Sequence, residues 1–192
     1  TDALTALMNV CRRQNVAPSP DVLVISIRNQ SGAHLTRRRM VAGGFPIYLT
    51  ENIFRVSTSR FGSGQLFNSR QTPLGLHRIA KKIGGGFPKG AVFRGRKFMG
   101  YTWQGEPDAP IVHRILWLDG LEPGHNQNGN VDSLTRYIYI HGVGNEKMLD
   151  HPSSQGCVHM AAVDLIPLYD QIHLNTLVLI GDFPLFVSRP MA

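Results

Sequence analysis

The chain has 192 residues, a formal net charge of +7, 42% hydrophobic and 17% charged residues, which excludes a disordered chain and sets the size of one domain with a full core. No 18-residue apolar run exists, so no transmembrane segment is expected, and two cysteines, Cys11 and Cys157, are too few for a disulfide framework. The basic balance suits an anionic partner, but Arg37-Arg38-Arg39 lacks interleaved aromatics and any nucleic-acid motif, so it reads as a solvated face and nucleic acid is not expected.

In chain order, Ala3, Leu4, Leu7, Met8 and Cys11 recur as one helix face, with Asp2 as cap and Pro18 and Pro20 as breakers. Cys11 reads as a buried structural thiol. The run 21–28, D-V-L-V-I-S-I-R, is rich in β-branched residues and predicts a strand. A turn at 29–32 and strands at 35–41, 46–49 and 53–57 follow, with Gly43-Gly44 as punctuation. Residues 59–73 are rich in Gly, Ser and Asn and read as a surface loop. Strands are predicted at 76–83, closed by Gly84-Gly85-Gly86, and at 111–118. Residues 121–133 form a polar loop holding His125, placed to wall a site. A strand at 136–141 ends on His141. A short helix is predicted at 163–172 with Pro167 near its first turn, then strands at 177–180 and 185–187. With some eight to ten strands, two helices and no βαβ alternation, the fold class is mainly β with short helices, largely antiparallel. Residues 1–20 read as a helical segment and linker, and 21–192 as the main domain.

The chemistry concentrates at 139–160, where His141-Gly142 precedes Cys157 by sixteen positions and Cys157 sits in the small, polar turn Ser153-Ser154-Gln155-Gly156. A thiol is mostly protonated near neutral pH and needs a base, a helix N-terminus or backbone N–H groups to act as a nucleophile. His141 can supply the first, the helix after Met160 part of the second, and the turn at Gln155, Gly156 and Cys157 an oxyanion hole. Gly142 can offer its carbonyl to fix the imidazole tautomer. The spacing alone leaves two other readings open: a buried, inert cysteine with a histidine that completes a turn, and a zinc site from Cys157, His159, His151 and His141. The zinc reading lacks any CxxC or HExxH spacing.

The same segment resembles the catalytic motif of the L,D-transpeptidase family, the YkuD domain: His-Gly at a strand end, then Ser-His-Gly-Cys, an apolar residue, and Arg or Asn. Here it reads His141-Gly142 and Ser154-Gln155-Gly156-Cys157-Val158-His159. Residues 56–62, 72–75, 114–120 and 136–142 resemble further segments of that family, so the resemblance covers about residues 21 to 181. Two positions depart from it: Gln155 stands for the usual His, and His159 for the usual Arg, which exchanges a permanent charge for a switchable one.

The resemblance implies a YkuD-like β-sandwich with the cleft beside one sheet. It implies a cysteine acyl-enzyme on peptidoglycan stem peptides, with Cys157 as nucleophile, His141 as base and Gly142 orienting it. It further implies release of D-Ala, then a 3→3 cross-link or protein anchoring, with no cofactor and no metal. Tyr139, Ser154, His159 and His125 are candidate substrate contacts. Acylation by a carbapenem-type β-lactam is an expected property. An L,D-carboxypeptidase and a non-catalytic wall-binding module remain alternatives on the same scaffold. The implied location is the periplasm or cell envelope, reached with a signal segment absent from this chain, which starts at Thr1. Oligomeric state is left open.

Overall fold

The computed structural model describes residues 2–41 and 45–185. Helix α1 (Ala3–Gln14) is capped by Asp2, whose carboxylate accepts from the Thr5 N–H at 2.8 Å, and Asn15 ends it in the left-handed conformation. The strands are β1 (Asp21–Ser26), β2 (Ser31–Val41), β3 (Phe45–Ser57), β4 (Gly75–Ile83), β5 (Ala91–Arg94), β6 (Lys97–Tyr101), β7 (Val112–Gly120), β8 (Tyr139–Gly142) and β9 (Val158–Met160). Helix α2 (Ala162–Gln171) and β10 (Leu177–Gly181) complete the described chain. The protein is mainly β with two short helices, as its turn-rich sequence predicts.

All strands join one mixed sheet, in the order β4-β10-β1-β2-β3-β9-β8-β7-β5-β6, and β4 also pairs with β7. That extra pairing closes the strands from β4 round to β7 into a ring, and the β5–β6 hairpin hangs from β7 through Val92 and Val112. Most neighbours are antiparallel; β1 with β10 and β8 with β9 are parallel.

The apolar run of β1 is continuous because both of its faces are covered. Leu23 and Ile25 point to a core shared with Ile79, Leu116, Leu118, Ile140, Val158 and Val178, into which α2 sets Leu165, Leu168 and Tyr169. Val22 and Val24 alternate to the other face, where α1 lays Leu7, Val10 and Cys11 against them and against Leu76 and Leu179. Leu7 is fully buried, which stabilises the docked helix by about 2 kcal/mol. The N-terminal helix is thereby packed on the sheet.

Several element boundaries differ from the sequence reading. The strands expected at 46–49 and 53–57 are one strand, β3, because pairing with the long β2 carries the ladder across Thr50 to Asn52, with bulges between His34/Leu35 and Arg37/Arg39. The strand expected from 136 starts at Tyr139, since Tyr137 is left-handed at φ +57. Strands β5, β6 and β9 are additional. Pro167 lies inside α2 rather than in its first turn, where it leaves the Val163 carbonyl without its helical donor. Gly43-Gly44 and the end of the strand expected at 185–187 lie outside the described residues, and Leu185 itself is not in a strand.

Candidate active site

Strands β8 and β9 run parallel, with Ile140 opposite Val158, His141 opposite His159 and Gly142 opposite Met160. Side chains alternate along a strand, so Ile140 and Val158 enter the core while His141 and His159 emerge together on the other face. One position earlier, Cys157 falls beside Tyr139, whose N–H donates to Cys157 Sγ at 3.4 Å. A parallel pair cannot be joined by a tight hairpin, and the spacing between His141 and Cys157 is the length of the crossover loop that the pairing demands.

His141 is buried, and its Nδ1 lies 2.9 Å from Gly142 O. A carbonyl only accepts, so Nδ1 carries the proton and Nε2 keeps its lone pair. Burial pushes His141 down to about 4. The His159 ring lies tilted against it at a centroid distance of 4.8 Å; burial, then the neighbouring His141, push it down to about 3. Its Nδ1 is buried without a hydrogen-bond partner among the described residues. Burial pushes the Cys157 thiol up to about 11, against the opposing influence of the Tyr139 N–H and the Arg136 charge. The thiol donates to Tyr137 O at 3.5 Å. Thiol and imidazole are therefore both neutral at pH 7.

The cysteine turn is held from inside and outside. Ser154 Oγ donates to Cys157 O at 2.6 Å and accepts from the Gly156 N–H at 3.2 Å. Gly156 has φ +120, which an L side chain rarely adopts. The N–H groups of Ser153 and Ser154 donate to Thr58 O at 2.9 and 3.0 Å, and the Arg60 N–H donates to Ser154 O at 3.1 Å. Ser57 Oγ donates to His151 O at 2.6 Å. Arg136 ties the 59–73 loop alongside, donating to Gln65 O at 2.8 Å and Gln71 O at 2.7 Å.

His141, Cys157, His159, Ser154 and Gln155 line one cavity of about 310 Å³, with Pro110 and Ile111 as its apolar wall. Tyr139 is not among the lining residues: its ring packs edge-on against Trp117 and its hydroxyl accepts from Arg96 at 3.2 Å. His125 lies outside the cavity too, with Nε2 3.0 Å from Gln65 Nε2. The first N–H of α2, at Ala162, donates to Glu146 Oε1 at 2.7 Å, so this helix start serves Glu146 and not the thiol. Among the described residues, no group of three His, Cys, Asp or Glu side chains is arranged to hold a metal. Arg136, Ser57 and Ile111 escaped sequence reasoning. Their roles depend on a loop and a strand that meet only in the folded chain.

The ring of strands and its parallel seam define a mainly β domain with a cysteine–histidine cleft. The chain belongs to the YkuD family: the L,D-transpeptidase catalytic domain matches residues 20–180. Among solved structures, Bd1075 from Bdellovibrio bacteriovorus is similar with a TM-score of 0.56, at 16% identity over 90% of this chain and 51% of that one. L,D-transpeptidase 3 from Mycobacterium tuberculosis gives 0.48, at 12% identity over 84% of this chain and 61% of that one; it is also known in complex with a faropenem-derived adduct. The L,D-transpeptidase from Mycobacterium smegmatis gives 0.47, at 10% identity over 84% and 58%. The chain thus spans between half and two thirds of the length of these proteins. The likeness to Bd1075 concerns the fold. No curated protein matches the chain. Among the described residues, no helix is long and apolar enough to cross a membrane.

Proposed function

We propose that the chain is a cysteine L,D-transpeptidase acting on peptidoglycan stem peptides in the cell envelope. The observation that carries this reading is the β8–β9 seam, which sets a thiol and an Nδ1-protonated imidazole on one wall of a cavity in a chain of the YkuD family. Both groups are neutral at rest. Cys157 Sγ turns from Tyr137 O towards the cavity and attacks the carbonyl between the third stem residue, a diamino acid, and the terminal D-Ala. The thiol proton passes to His141 Nε2, and Gly142 O steadies the imidazolium through Nδ1–H.

The Gly156 N–H is already committed to Ser154 Oγ. The oxyanion therefore falls to the N–H groups of Gln155 and Cys157. His141 returns its proton to the departing D-Ala amine, and a thioester remains. An amine from a second stem or protein, deprotonated by His141, resolves it to a 3→3 cross-link or an anchored protein. No metal or cofactor is called for in these steps.

The test is incubation of the full chain with a carbapenem and, separately, with a tetrapeptide muropeptide. Intact mass is expected to rise by one β-lactam, to stay unchanged in Cys157→Ala, and the muropeptide to yield a cross-linked dimer plus D-Ala. A hydrolysed tripeptide without dimer would make the protein an L,D-carboxypeptidase. No adduct, with full activity in Cys157→Ala, would overturn the nucleophile.

A further inference from the structure

Beside the thiol's cavity lies a second one, of about 220 Å³, bordered by Arg70, Arg136, Asn68, Tyr137 and Gln155. Gln155 borders both cavities, and Tyr137, whose carbonyl accepts from Cys157 Sγ, borders the second. The thiol stands at the partition. An ideal Cβ at Gly156 would lie 3.7 Å from Arg70 O, so the Arg70 backbone packs on the cysteine turn itself.

The second cavity is cationic and uncompensated. Arg136 spends both terminal nitrogens on loop carbonyls and Ser69 Oγ, so its fork is used while its charge remains. Arg96 covers the ring of Tyr137 at 4.8 Å. Neither these two nor Arg70 belongs to the ion pairs among the described residues, which engage other cations. Arg70 is exposed, and its guanidinium has no hydrogen-bond or ion-pair partner among the described residues. The backbone is fixed here at some cost. Arg70 and Tyr137 have φ +58 and +57, a conformation that non-glycine residues rarely adopt and that recurs where a site is held rigid. Ser59 Oγ holds Arg70 O at 2.5 Å.

A free guanidinium on a fixed backbone is suited to a planar carboxylate, which it can meet with two parallel bonds. We propose that the second cavity is a carboxylate subsite in which Arg70 binds the C-terminal carboxylate of the departing residue, one residue beyond the carbonyl that Cys157 attacks. Arg136 and Arg96 add field without contact. This rests on the reading of the chain as a peptide acyl-transferase, and it names what selects the peptide.

Binding is measured by calorimetry on the full chain carrying Cys157→Ala, so that nothing reacts. The probes are a tetrapeptide stem with a free C-terminal carboxylate and the same peptide as its C-terminal amide. The acid is expected to bind about tenfold more tightly than the amide. Arg70→Asn, which keeps a residue tolerant of positive φ, is expected to bring the acid down to the amide's affinity, and Arg70→Lys to retain part of the preference. Equal binding of acid and amide in the parent, a preference that survives Arg70→Asn, or no binding of either peptide would each overturn the subsite. The comparison in the parent alone decides if Arg70→Asn fails to fold. Adduct formation at Cys157 is read separately: an adduct without acid preference removes the subsite alone, whereas no adduct removes the acyl-transfer reading.

Discussion

At the scale of single residues, the resting thiol decides how the site meets reagents. With Cys157 pushed up to about 11, about one thiol in ten thousand is ionised at pH 7. Alkylation by iodoacetamide is therefore expected to be slow at pH 7 and to rise about tenfold per pH unit up to pH 10. A plateau below pH 7 would show a standing thiolate–imidazolium pair and contradict the neutral one. Removing the proposed base is a separate matter: His141→Ala is expected to lower the acylation rate by about a thousandfold with the melting temperature little changed, read by the rise of adduct mass with time. That Cys157, His141 and Gly142 come together was legible in the sequence because a strand end, a glycine and a small polar turn are local signals. Tyr139 and His125 are set apart by packing that no local signal carries, edge-on against Trp117 for one and beside Gln65 for the other.

At the scale of elements, the site is a seam between two short strands and the loop that joins them. Gly156→Ala forces a side chain onto φ +120 and sets its Cβ 3.3 Å from Gln71 O. The expected cost is about 1–3 kcal/mol, visible as a lower urea midpoint and as slower acylation, because the turn carries the proposed oxyanion donors. An unchanged midpoint would mean that the turn relaxes freely. Arg136→Ala is expected to slow acylation as well, by releasing Gln65 O and Gln71 O and with them the loop behind the turn. Long strands with alternating or continuous apolar runs, such as β1 and β7, could be read directly. Strand β9 could not, since three residues between a serine turn and a helix carry no period. The β5–β6 hairpin did carry a signal in Gly95, since a glycine between apolar runs is the mark of such a turn; Gly95 and Arg96 both take positive φ there.

At the scale of the whole molecule, burial of neutral histidines ties stability to pH. His77, His113 and His141 are pushed down to about 4, and His159 to about 3, by burial above all. In the unfolded chain each titrates near 6.5, so between these values the unfolded state binds protons that the folded state refuses. Stability is complete above pH 6.5 and falls as pH drops through the window below it. By pH 5 each histidine costs on the order of 2 kcal/mol. The melting temperature is expected to fall by at least about 5 °C between pH 7.5 and pH 5; a flat profile would mean that these rings are solvated. None of this was legible in the sequence, where a histidine's surroundings are not written.

The ring closes through β4, β7 and β10, and its first and last strands, β1 and β10, lie side by side. During synthesis the ring cannot close before residues 177–181, the latest of its described strands in chain order, have emerged, because both β1 and β4 pair with them. Until then two strand edges stay open, and open edges invite pairing with other chains. Folding is therefore a late event governed by distant contacts, on the millisecond-to-second scale of about 10⁻³ to 1 s. A chain ending before Leu177 is expected to aggregate rather than to form a smaller, working domain.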